Sequence, residues 1–202
     1  QRYSRDGVPS LEPEDSNNRG LGLKYAAQGH TFSAVAYQNR VTDLINYVSG
    51  PGACANGVGA FAGCYGNTGK ATYSGVTLAA GTRISQVGLN ASLDLQDPKD
   101  DVTGKRLARR AKRVLKLGAD TQVAGWGLAG DVLLSGDRYN NAANTQLLPG
   151  YGVLNLSATK PLTRNLSLLV RLDNVADKDY QTVTGYATAG RTAFVGLKWS
   201  GL

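Results

Sequence analysis

The dominant periodicity in this chain is two residues. Residues 166–173 place Leu166, Leu168, Val170 and Leu172 on one side of an extended segment and Ser167, Leu169, Arg171 and Asp173 on the other. Residues 87–96 set Val87, Leu89, Ala91, Leu93 and Leu95 against Gly88, Asn90, Ser92, Asp94 and Gln96. Near the end, Ala193, Val195, Leu197 and Trp199 oppose Thr192, Phe194, Gly196 and Lys198, and 126–136 and 153–159 alternate in the same way. Successive side chains of a strand point to opposite faces, so such segments read as strands with one apolar and one polar face. Adding 18–27, 30–47, 70–81 and 110–121 gives about nine strands.

The connections alternate in length. Short turns fall near Gln28-Gly29, Thr82-Arg83, Val123-Ala124-Gly125 and Pro161-Leu162-Thr163; long, polar, Gly-rich segments fall at 48–69, 97–109, 138–150 and 174–190. Turns on one side and loops on the other are the layout of an all-β, antiparallel transmembrane β-barrel. A soluble sandwich also alternates along its strands but has less reason to alternate its loops. With 48–69 outside, the strands at 18–27 and 191–200 run inward and the C-terminus is periplasmic. An odd count cannot close first strand on last in antiparallel fashion, so the remainder of a barrel or another partner is expected at the edges.

Composition is compatible with this reading. The mean hydropathy of −0.25 is what strands with one polar face average to. No apolar run approaches the roughly 20 residues of a membrane-spanning helix, and no charged segment leads into an apolar run as a secretory leader would. The net charge is +7, and Lys105, Arg106, Arg109, Arg110, Lys112, Arg113 and Lys116 crowd into one stretch. Such a run is a solvated face, or a surface for an anionic ligand, nucleic acid, or lipopolysaccharide and phospholipid head groups. Within it Leu107, Ala111, Val114, Leu115 and Gly118 approach helical spacing, which alone reads as a basic amphipathic helix. The alternation of Leu115, Leu117 and Ala119 favours a strand. Cys54 and Cys64 lie in a Gly/Ala/Asn-rich segment with no further ligands for zinc. A local disulfide fits them better than free thiols, and would contribute about 2–3 kcal/mol.

No catalytic constellation is visible. His30 stands at a turn without a Ser or Cys partner in motif context. Asp97, Asp100 and Asp101 lack the spacing of a calcium loop, and the Gly-rich stretch 50–69 lacks the ending of a phosphate loop. Neither an enzyme, a metal site nor a cofactor is expected.

The last thirty or so residues are more specific. Leu172-Asp173-Asn174-Val175-Ala176-Asp177-Lys178-Asp179-Tyr180, followed by Gly185-Tyr186-Ala187-Thr188-Ala189-Gly190-Arg191 and an alternating strand, resembles the C-terminal signature of TonB-dependent outer-membrane receptors. Pro9-Ser10-Leu11-Glu12-Pro13-Glu14-Asp15-Ser16 resembles the segment that enters an earlier strand in the same family. The resemblance covers essentially the whole chain, 1–202, as about nine C-terminal strands of a barrel of about 22; it implies that the plug and the N-terminal strands lie outside this sequence. Within the family, Asp179 to Tyr186, Leu107 to Lys112 and Asp43 to Tyr47 are most similar to the receptors for cobalamin (vitamin B12). Two departures stand out: Ala176 replaces the usual Phe, and Trp199 is followed by Ser200-Gly201-Leu202 rather than ending the chain.

The resemblance implies TonB-energised uptake of a small molecule across the bacterial outer membrane. The ligand would be a corrinoid or, with the same fold, a ferric siderophore. It also implies that Arg109 and Tyr186 contact cobalamin, with Tyr139 a further candidate. Arginine can donate to amide and phosphate oxygens, and a tyrosine ring can pack on the corrin edge. The alternative for the tyrosines is an interfacial aromatic girdle; for Arg109 and Arg110 it is lipopolysaccharide contact or solvated charge. Implied partners are the small-molecule ligand, outer-membrane lipid and lipopolysaccharide, TonB through the missing N-terminal part, and the remainder of the barrel, with no nucleic acid. An alternative of another class is a small autonomous surface β-protein, an adhesin or interaction module.

Overall fold

The structure, a computed structural model, describes residues 11–48 and 64–201. Nine strands form one antiparallel sheet in chain order: β1 (Asp15–Ala27), β2 (His30–Val48), β3 (Cys64–Ile84), β4 (Val87–Asp100), β5 (Arg113–Val123), β6 (Trp126–Ser135), β9 (Tyr151–Pro161), β10 (Leu166–Asp173) and β11 (Thr192–Trp199). Between β6 and β9 a small hairpin pairs β7 (Arg138–Tyr139) with β8 (Leu147–Leu148). Within the sheet each strand pairs with the next in chain order, β6 with β9 across the small hairpin. β1 and β11 stand at opposite edges and are not paired with each other.

Directly opposed residues share a face of the sheet. One row runs Leu23, Ala34, Leu78, Leu93, Leu115, Leu134, Gly152. The row on the opposite face, one residue on, runs Lys24, Ser33, Ala79, Ser92, Lys116, Leu133, Val153. The apolar face stays open: Leu89, Leu117, Leu128 and Leu134 in the middle of the sheet remain exposed. A wall one sheet thick with a continuous apolar face and a polar reverse is stable where hydrocarbon is the solvent on one side. On β4 the apolar positions run from Val87 to Leu95, which spans roughly 20–25 Å for a tilted strand. Tyr25, Phe32, Trp126 and Trp199 cluster toward the tight-turn end of this face, and Lys160 Nζ lies over the Trp126 ring at 5.6 Å.

The turns at Gln28-Gly29 and Ala124-Gly125 have left-handed φ at both central residues, 51° and 78°, then 50° and 74°. That is the hairpin geometry matching strand twist, and glycine adopts it without a Cβ clash. The turn expected at Thr82-Arg83 lies at Ser85-Gln86 instead. Thr82 pairs with Leu89 and its Oγ1 meets His30 Nδ1 at 2.7 Å, so β3 continues to Ile84. The stretch with helical spacing forms no helix. Residues 101–112 are a loop closed by the Lys99–Arg106 bridge, and β5 starts at Arg113 rather than 110. A helix would leave Leu115 and Leu117 without Leu93 and Ala91 as neighbours.

Candidate functional site

Three long connections, 101–112, 136–150 and 174–191, gather at the end opposite the tight turns. The Arg109 amide donates to the Tyr139 carbonyl at 2.6 Å, and Arg109 holds a left-handed φ of 62°. The neighbouring Asn140 accepts from the Thr184 amide through Oδ1 at 3.2 Å. These two bonds tie the segments bearing Arg109, Tyr139 and Tyr186 into one cluster. Arg109 is exposed, and Tyr186 is 73% exposed on a turn whose Gly185 has φ 81°. Tyr139 differs from both. Its ring lies under the Arg106 guanidinium, 5.2 Å from the centroid, and is half-buried.

Arg106 organises that corner. Its Nη1 meets the Asp137 carboxylate at 2.9 Å, and its amide and carbonyl are both engaged by the Asn144 side chain. The Arg106 hydrogen bond holds the Asp137 carboxyl below the usual carboxylate range. The loop carboxylates are likewise engaged: Asp100 accepts from the Val102 and Thr103 amides, Asp101 from the Thr72 hydroxyl, and Asp97 pairs with Lys112.

An aromatic arrangement emerges that the sequence reading did not identify. Tyr151 and Tyr180 stack with centroids 4.1 Å apart, and the Arg138 guanidinium lies 5.1 Å from the Tyr151 centroid. Beside them a cavity of about 450 Å³ is lined by Leu148, Pro149, Asp179, Tyr180, Gln181, Ala187 and Thr188. A lining that mixes apolar groups with an amide, a hydroxyl and a carboxylate can hold part of a partly polar small molecule. Tyr180 stood within the quoted signature, but nothing local links it to Tyr151.

The signature residues themselves hold the 174–191 loop in place. Asn174, only 4% exposed, accepts from the Lys178 amide and donates to the Lys178 and Ala189 carbonyls. Asp177 accepts from the Arg191 amide at 2.7 Å. At the other end of the chain, Glu12 and Glu14 anchor the irregular stretch of β2 near Asp43: Asn67 bridges the Glu12 backbone to the Asp43 carbonyl, and Glu14 accepts from the Ile45 amide. Cys54 and the side chain of Cys64, and with them the expected disulfide, lie outside the described residues.

The family model for the TonB-dependent receptor-like β-barrel matches residues 1–175. The vitamin B12 transporter BtuB of Photobacterium profundum is 30% identical over 188 residues, which is 93% of this chain and 30% of that protein. Among solved structures, a ferric enterobactin receptor (PfeA) mutant of Pseudomonas aeruginosa matches 96% of this chain and 32% of its own with a TM-score of 0.76 at 22% identity. The copper transporter OprC matches 95% and 32% with a TM-score of 0.75 at 19% identity. These structures share the fold, and the chain spans about a third of the length of each of these three relatives. A lipid-facing antiparallel wall, loops gathered at one end and a family match over most of its length place this chain in the TonB-dependent receptor β-barrel family of the outer membrane.

Proposed function

We propose that residues 1–202 form the C-terminal wall of an outer-membrane receptor that takes up a corrinoid with energy delivered through TonB. Transport receptors of this family are not enzymes, and the chain's part is to bind and to line a passage. In this reading the long loops face outside, the C-terminal end of β11 is periplasmic, and the rest of the barrel pairs with the edges of β1 and β11. TonB would act through the N-terminal part of the receptor.

The observation that carries the corrinoid reading is the clustering of Arg109 and Tyr186 at the long-loop end, beside the Tyr151–Tyr180 stack, in a chain related to a vitamin B12 transporter. The exposed Tyr186 offers an apolar face to a macrocycle, and Arg109 offers donors to its amide and phosphate oxygens. A ferric siderophore is the second reading, favoured by the cationic loop 105–113 and by likeness in fold to a ferric enterobactin receptor. Titration of the intact receptor with cyanocobalamin and with ferric siderophores separates the two. Saturable cobalamin binding is expected; saturable siderophore binding with no cobalamin binding would overturn the assignment.

A further inference from the structure

The cavity beside the Tyr151–Tyr180 stack has one wall that is braced from behind. Tyr151 lies two residues from Val153 on the polar face of the sheet, toward its long-loop end. The Tyr180 ring stacks on it, and the Arg138 guanidinium lies 5.1 Å from the Tyr151 centroid. Arg138 is only 8% exposed and donates through Nη2 to the Ser135 hydroxyl at 2.5 Å. Among the described residues it has no carboxylate partner, so the ring of Tyr151 is its main counterpart. These contacts fix Tyr151, and Tyr151 fixes the ring of Tyr180 that lines the cavity. The cavity is therefore preformed on that side.

Its polar groups make a definite set. Asp179 brings two acceptor oxygens. It is exposed, and among the described residues no lysine or arginine reaches ion-pair distance of it. Thr188 donates its hydroxyl proton to the Tyr180 carbonyl at 2.7 Å, so toward the cavity its oxygen accepts. Gln181 accepts from the Gly185 amide through Oε1 at 3.2 Å. That bond fixes which end of the side-chain amide is Nε2, and it leaves Nε2 as a donor. It also ties the cavity to the turn that carries Tyr186. Among the described residues the lining holds no lysine or arginine. Two acceptors and one donor beside apolar Leu148, Pro149 and Ala187 complement a primary carboxamide. Its two N–H groups suit Asp179 and Thr188, and its carbonyl suits Gln181 Nε2. A carboxylate of the same shape brings acceptors only, and its charge faces that of Asp179.

We infer that this cavity receives a peripheral primary amide of the transported ligand, and that Asp179 makes it select an amide over a carboxylate. The inference deepens the corrinoid reading and rests on it, since a corrinoid presents several such amides around its ring. Its test titrates the intact receptor with cyanocobalamin and, separately, with each monocarboxylate made by hydrolysing one peripheral amide of cyanocobalamin. The parent is expected to bind at least one of these acids about tenfold more weakly than cyanocobalamin. Asp179→Asn keeps an acceptor oxygen and removes the charge. It should bring that acid level with cyanocobalamin, while affinity for cyanocobalamin itself stays within about fivefold of the parent. Asp179→Ser, a second form without the charge, should lose the discrimination in the same way. Asp120→Asn removes a negative charge near the tight turns and should discriminate as the parent does. Discrimination that persists in Asp179→Asn and Asp179→Ser would overturn the proposal. So would its equal loss in Asp120→Asn. A parent that binds cyanocobalamin and all the acids equally overturns the proposal alone. A parent that does not bind cyanocobalamin overturns the corrinoid reading and the proposal together.

Discussion

Asn174 sits where β10 ends, and its amide serves both sides of the 174–191 loop. Replacing it by Ala leaves the Lys178 amide and two carbonyls without their partner, at a cost of about 1–3 kcal/mol. Asn174→Ala should therefore lower the unfolding midpoint in detergent and speed proteolysis within 175–190. Asp137 makes a prediction about pH. Its folded pKa is lowered, first by the Arg106 hydrogen bond, so its contribution is complete above the ordinary carboxylate value of about 3.9 and is lost as pH falls through the lower folded value. Amide-exchange protection of 101–112 should stay flat from neutral pH to about 5 and fall only below about 3.9; Asp137→Asn should reduce it at neutral pH and abolish that acid-dependent fall, the two proteins converging at low pH. Arg109→Ala should weaken cobalamin binding by about tenfold or more if the side chain donates to the ligand, with no change in the unfolding midpoint. These residues were legible to different degrees. Arg109 and Tyr186 were reached through the resemblance. The roles of Asn174 and Arg106 depend on partners that no local pattern announces.

At the scale of elements, the strands were legible because alternation is local and the lipid-facing side tolerates few polar residues. Leu117→Arg puts a charge on that face near the middle of β5 and should cost about 2–4 kcal/mol. Lys116→Ala, one residue away on the polar face, should be close to neutral; chemical unfolding in lipid vesicles compares them. Boundaries were less legible. The turn at Ser85-Gln86 has no Asn-Gly or Asp-Gly dipeptide to mark it, and β3 was expected to stop at 81. The basic stretch matched a helix over part of its length because four-residue spacing also satisfies alternation. Pairing of Leu115 with Leu93 and of Leu117 with Ala91 settles it as loop, then strand.

For the molecule as a whole, the free edges of β1 and β11 are the dominant fact. Among the described residues each leaves its outer amides and carbonyls without a strand partner, and a bilayer does not satisfy such groups. Expressed alone in detergent, 1–202 should migrate as oligomers or as a heat-insensitive band on unboiled gels, whereas the intact receptor should show the shifted, folded band of a closed barrel. The sequence by itself determined that the chain is an all-β wall with a lipid-facing side, because the period of two and the alternation of short and long connections are written locally. Only the tertiary structure decided which loops touch. It brought Arg109 to Tyr139, Asn140 to Thr184, and Tyr151 to Tyr180. Those neighbours come from different hairpins, and their proximity depends on strand register summed across the sheet, which no single segment encodes.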